Sequence, residues 1–332
     1  KSNAILNAGQ DLRTKTTGSV NVENGAALTA GNDLTTDAKG SVTINNGAAL
    51  KAGGSLATAA GQDVTVNGAT LEAGKDLITE TNGNVAVEGN ANLTAKGNLS
   101  TAGQDVAVNG ATLKADKDLT TDAKGNVAVE GNANLTAQGN LSTAGQDVTV
   151  NSSTLKADKD LITAAKGKVD VTGNANLTAQ GNLSTVAGQD VRVQNGAILK
   201  AERDLTTQAQ GNATIENGAH LTAAENLSVA AGGSLLTEAG SVLEAGKKMT
   251  LKAGGDVTAN SGAVLRAGEN LTLAAGGSVL APGEIHVAGS VTATAERGVV
   301  NIATVKTDSG DITLQSKQGD VIAANVEAGR NF

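Results

Sequence analysis

Carboxylates recur along this chain at near-constant intervals. Asp33, Asp76, Asp118, Asp160 and Asp204 form one series, and Asp63, Asp105, Asp147 and Asp190 form a second. Clustered carboxylates are what glycosidic cleavage needs, as general acid, base or nucleophile, and parallel β-helical lyases and hydrolases gather them in a groove, often with Arg or Lys. Two histidines, His220 and His286, are the other groups able to move a proton or hold a metal near neutral pH. Threonine also recurs, at Thr14, Thr36, Thr58, Thr79, Thr101, Thr121, Thr143, Thr163, Thr185 and Thr207, and a regular Thr array that faces water is a candidate ice-binding surface.

Each of these chemistries requires unlike groups to converge, and the intervals themselves argue that they do not. Gly83–Val108 and Gly125–Val150 are the same stretch 42 residues apart, differing only at Lys96/Gln138 and Ala107/Thr149. Leucines in an "xLxA" context recur every 20 to 22 residues from Leu6 to Leu265, and Val287, Val305 and Val326 extend the series. A second Leu or Met follows each regular anchor by six residues, from Leu12 to Leu271, and a "VxV" pair follows in turn, as in Val64/Val66 and Val148/Val150. All three are short alternating segments bounded by Gly, Asn and Asp, which predicts strands and turns with no helix. Length varies only between anchors: units divide 6+8+8 or 6+7+7, so turns absorb the insertions.

Three short strands per coil, repeated in register, predict an all-β chain folded as a parallel β-helix of about 16 coils, each about 4.8 Å from the next, giving a rod on the order of 75 Å. The crossover rule makes it right-handed. Residues 1–280 form the regular repeats, and 281–332 continue the same helix irregularly.

Placed on coils, the candidate chemistry disperses. Asp occurs at about one per coil and alternates between two columns in opposite phase with Asn, Ser or Lys, an arrangement that separates like charges. His220 and His286 both fall just before an anchor, three coils and roughly 14 Å apart, too far to share a metal. The Thr column lies two residues after the second anchor and therefore points inward with it. Its later members are Val229, Leu251 and Leu273, which excludes an ice-binding face and predicts a buried structural ladder from Thr36 to Thr207, able to pass hydroxyl hydrogen bonds from coil to coil. No calcium-binding Gly-Gly-x-Gly-x-Asp run occurs, and "AGGS" and "AGGD" are turns without a following helix to hold a phosphate. No catalytic, metal or cofactor-binding residue is expected, and no enzyme activity.

Composition narrows the partners. The chain has 332 residues with 43 Gly, one Pro, no Cys, no Trp and no Tyr, and its net charge is −8. An acidic surface argues against nucleic acid. No apolar run reaches the roughly 20 residues that span a bilayer, so this segment is not expected to insert in a membrane. The only aromatic is Phe332, whereas sugar sites favour aromatic platforms. The chain opens on Lys1 and stops in mid-pattern, as a piece of a longer protein would.

Units such as "GNLSTAGQDVTV", "NGATLKADKDLTTDAKG" and "LTLAAGGSVLA" resemble the haemagglutinin repeats of filamentous haemagglutinins and contact-dependent inhibition exoproteins, the large partners of two-partner secretion systems in Gram-negative bacteria. The likeness covers residues 1–280 and, more loosely, the rest. It implies a secreted or cell-surface stalk of an adhesin or toxin carrier, exported through an outer-membrane transporter, with a receptor on a host or neighbouring cell engaged elsewhere in the chain. The absence of Cys suits export in an unfolded state. The alternative is that the coils themselves bind a receptor or carbohydrate, in which case the irregular region near 280–308, with Pro282, His286 and Arg297, is where contact is expected. Ten Asn-x-Ser/Thr sequons also occur. Most arise because a turn Asn precedes "LT" or "LS", and the alternative is N-glycosylation.

Overall fold

The computed structural model describes residues 3–331, and every regular element among them is a β-strand. The chain divides into two compact units, residues 1–162 and 163–332. Each is a parallel β-helix.

In the first unit the predicted anchors pair in register: Leu28 with Leu50, Leu50 with Leu71, Leu71 with Leu93. The second strands do the same through Leu34, Leu56, Leu77 and Leu99. Val42, Val64, Val85 and Val106 align the third. Strands such as Leu34–Ala38 and Leu56–Ala60 alternate buried and half-buried residues along their length, the period-two pattern that sends every other side chain inward. Leu50, Leu56, Val64 and Val66 are wholly buried, and each such Leu contributes roughly 1.5–3 kcal/mol relative to exposure. With no aromatic inside, the narrow interior closes on Leu, Val, Ile and Ala. The second unit repeats this order, with Leu177, Leu199, Leu221, Leu243 and Leu265 in register.

Two turn lengths account for the variable spacing. Where the third strand runs into "EGN", as at Glu88, two successive residues, Gly89 and Asn90, have φ near 62°. The Ala91 amide then donates to the Glu88 carbonyl at 3.1 Å, the pattern of a tight turn with both central residues left-handed. Where the sequence is "VNGA", Gly68 or Gly110 alone takes positive φ and the link is one residue shorter. The other corner has the same choice: two residues separate Leu99–Gly103 from Val106, and three separate Leu119–Ala123 from Val127.

Among the described residues there are fifteen second strands, one fewer than the sixteen anchors, because none follows Val326 there. A larger correction lies in the last coils. Arg266 pairs with His286 and Ala267 with Val287, so the residue equivalent to Leu265 is Ile285, not Val287. Ile285 then pairs with Val305 and Val305 with Val326, and the 18-residue coil disappears in favour of a 20-residue one. The third and anchor strands have fused here into Val279–Val287, Val300–Thr307 and Val321–Glu327. The register breaks between Ala281 and Glu284, which leaves Pro282 outside the ladder, where its missing N–H costs nothing.

Candidate functional site

The inward Thr column is buried as predicted: Thr36, Thr58, Thr79, Thr101, Thr121 and Thr143 in the first unit, and Thr163, Thr185 and Thr207 in the second, have no exposed surface. Thr14 is half-buried. The expected hydroxyl relay is absent, however, since none of the buried Oγ1 atoms makes a hydrogen bond. Coil spacing explains it. Identical atoms on adjacent coils stand about 4.8 Å apart, beyond hydrogen-bond reach, so the column packs methyls and leaves its hydroxyls unpaired.

Hydrogen bonds from coil to coil are made outside instead, by the two Asp/Asn columns. In the first, Asp76 Oδ1 accepts the Asn98 amide at 2.7 Å, Asn98 Oδ1 accepts the Asp118 amide at 3.2 Å, and Asp118 Oδ1 accepts the Asn140 amide at 2.7 Å. In the second, Asp63, Asn84, Asp105 and Asn126 hold the amides of Asn84, Asp105, Asn126 and Asp147 at 2.8, 3.2, 2.7 and 3.2 Å. The second unit continues the device with Asp190 to Asn212, Asn212 to Ser234 and Asp256 to Ser278. Between Asp63 and Asp147 and between Asp76 and Asn140 the carboxylates make the shorter bonds, as charge assistance favours, whereas in the second unit Asn212 and Asp190 bond equally at 2.8 Å.

The Asp/Asn alternation follows from space as well as charge. A Cβ at Gly97 would meet the Asp76 carboxylate and the Lys75 backbone, and Gly139 stands in the same relation to Asp118 and Lys117. From Asp63 to Asp147 and from Asp76 to Asp160, a coil above an Asp therefore carries "GN" and the coil above that carries Asp again. We expect Asp118→Ala to cost about 1 kcal/mol through the lost acceptor, and Asp118→Asn to retain most of it. Urea unfolding of the two variants measures this, and equal losses would mean that charge, not acceptance, is what the column supplies.

The irregular coils of the second unit hold the remaining candidates. Asp308 Oδ1 accepts a hydrogen bond from His286 Nε2–H at 2.7 Å, and both residues are exposed. With Arg266 and Glu284 they line a shallow groove of about 610 Å³ over Val264–Gly268. Arg266 itself is held by Glu244 at 2.6 Å. Sequence reasoning singled out His286, took in Glu284 and Asp308 only as members of the region 280–308, and missed Arg266. Once Ile285 is taken as the anchor, Arg266 and His286 fall in the same outward column, which is the signal that would have found Arg266.

His220 does not share the position of His286. It begins its strand between Ile198 and Val242, one place before the anchor, whereas His286 follows its anchor. Arg297 folds back along the corner, its Nε donating to the Gly276 carbonyl at 2.8 Å and Nη2 to the Gly254 carbonyl at 3.3 Å, so it ties coils together. Pro282 is exposed at the break. Phe332 lies outside the described residues. Among the described residues, no group of three or more His, Asp or Glu is placed to hold a metal ion. No family model matches the chain, and no curated protein or solved structure matches it.

Proposed function

We propose that the chain is a structural spacer in a large secreted, cell-surface exoprotein, an adhesin or a contact-dependent toxin carrier, whose coils hold a distal binding or toxin region away from the exporting cell. The resemblance of the repeats supports this role. The observation that carries it is the use made of the outward polar columns: side-chain oxygens from Asp63 to Asn126 and from Asp76 to Asn140 accept amides of the next coil. Groups that would otherwise be free to meet a ligand serve instead to join like coils, as a segment selected for length requires. In this role the chain is not an enzyme, takes no cofactor and passes an outer-membrane transporter during export, and the receptor is met by other parts of the protein.

A second role has one observation in its favour, the groove bearing Arg266, Glu284, His286 and Asp308. There the coils would bind a polar cell-surface group themselves. The purified 332-residue chain, titrated onto the cells that the parent protein recognises, separates the two. The spacer role predicts no saturable binding. Saturable binding that the paired substitutions Arg266→Ala and His286→Ala remove would overturn it and transfer the function to the groove.

A further inference from the structure

Asn24, Asn46, Asn67, Asn82, Asn109, Asn195 and Asn217 each precede a glycine, and all seven are exposed. Asparagine is thermolabile, and most so before Gly, whose missing side chain lets its backbone nitrogen reach the Asn carboxamide. The seven differ at that nitrogen. Gly25, Gly47, Gly68, Gly83, Gly110 and Gly196 donate their N–H to the carbonyls of Asn46, Gly68, Glu88, Gln62, Glu130 and Asn217 on an adjacent coil, at 2.9–3.1 Å. The Gly218 N–H has no hydrogen-bond partner among the described residues.

The coil above Gly218 explains the exception. Asn195 and Asn217 are both left-handed, with φ of 55° and 52°, and their matching turns let the Gly196 N–H meet the Asn217 carbonyl at 3.0 Å. Ile215 pairs with Thr237 and His220 with Val242, so the residue above Asn217 is Ala239. A left-handed backbone crowds the Cβ, which Asn offsets with its short polar side chain and Ala does not. Ala239 accordingly stays out of that region, and only Gly240 takes positive φ in its turn. Two turns of unlike shape are therefore stacked, and the Gly218 N–H loses the acceptor that its counterparts keep. The Asn217 carboxamide is loosely held as well, since its Nδ2 reaches Asn195 Oδ1 only at 3.4 Å.

We propose that Asn217 is a site of spontaneous modification, converted to an aspartyl or isoaspartyl residue, while the fold protects the other six Asn-Gly pairs. Water is the co-reactant. A hydroxide ion takes the Gly218 amide proton, the nitrogen bonds to Asn217 Cγ, and the Cγ–Nδ2 bond breaks as ammonia leaves with a proton from water. Water then opens the resulting ring and returns a proton to the nitrogen. Opening at Cγ gives the aspartyl residue, and opening at the backbone carbonyl gives the isoaspartyl one. Ring closure requires the turn to open, and at the other six pairs a bond to an adjacent coil must break first. None of this rests on the spacer role, so either can fail alone.

Trypsin places each of the seven pairs on its own peptide, so the test is to age the purified chain at mildly alkaline pH and follow amide loss by peptide mass mapping. Asn217 is expected to convert about fivefold faster than the mean of the other six, which is what the net worth of one backbone hydrogen bond amounts to as a rate. In urea, where no turn survives, all seven should convert at similar rates, which assigns the difference to the fold. In a second arm, Ala239→Asn supplies the left-handed residue that the coils below carry. It is expected to slow conversion of Asn217 to the level of Asn195, with fragment ions separating position 217 from position 239. Conversion of Asn217 no faster than the other six in the folded chain, a lead that persists undiminished in urea, or an unchanged rate in the Ala239→Asn variant would overturn the proposal.

Discussion

Thr121→Val raises the stability of the fold, and Thr121→Lys lowers it by several kcal/mol. Thr121 is wholly buried and its hydroxyl makes no hydrogen bond. Leaving a buried donor and acceptor unmatched costs about 1–3 kcal/mol, and a methyl of similar size removes that cost. The position tolerates the exchange because its register equivalents in the second unit include Val229, paired directly with Thr207, and Leu251, paired with Val229. Replacing the six stacked residues from Thr36 to Thr143 by Val should add successive increments. The Thr121→Lys exchange would instead bury an ammonium with no partner, at a desolvation penalty of several kcal/mol. Thermal melts followed by far-ultraviolet circular dichroism report both, since the chain lacks Trp and Tyr. A lower melting temperature for Thr121→Val would show that the hydroxyl finds a partner, and equal melting of the two variants would show that the column faces water.

The same column marks what a sequence of this kind discloses and what it withholds. Inward direction was legible from Thr36 to Thr207 because strand parity relative to Leu34 and its counterparts fixes it. Pairing was not, since it depends on the separation between coils. Strand identity and register were legible throughout the regular coils because Leu, Val and Gly recur at the same offsets and each strand meets its own copy. The failure at Val287 has a parity cause. "IHVAG" offers Val287 before Ala-Gly much as "VLRAG" offers Leu265 and Ala267, and an error of two residues leaves every side chain on its correct face. Burial therefore cannot expose the error, and strand pairing does, Arg266 with His286 and Ile285 with Val305. The Asp and Asn columns were visible as columns, but their work as acceptors depends on each side chain leaning over the next coil, where Gly97 and Gly139 give way.

Ladders of this kind make stability a sum over neighbouring coils. Asn98 presents the same acceptor to Asp118 that Asn140 presents to Asp160, and Asn92 meets Thr112 as Asn134 meets Thr154. Two coils can therefore leave together with a single change at the new interface, Lys96 in place of Gln138. Removing residues 105–146 deletes 42 residues within the first unit and joins Gln104 to Asp147, so "STAGQ" again runs into "DVTV". The chain should fold with the same strand register, about 10 Å shorter along the stack. Removing the ten residues 116–125 instead takes out the strand Leu119–Ala123 and leaves a coil too short to close. That variant should lose its cooperative melt.

The spacer role is tested most directly by placing the 42-residue deletion in the parent protein and measuring adhesion or target-cell inhibition at matched surface display. Activity close to that of the undeleted protein is the predicted result, because length changes by only two coils and no distinct site is lost. Loss of activity in a protein that is still exported, displayed and folded would contradict it, and would assign to residues 105–146 a binding surface of their own.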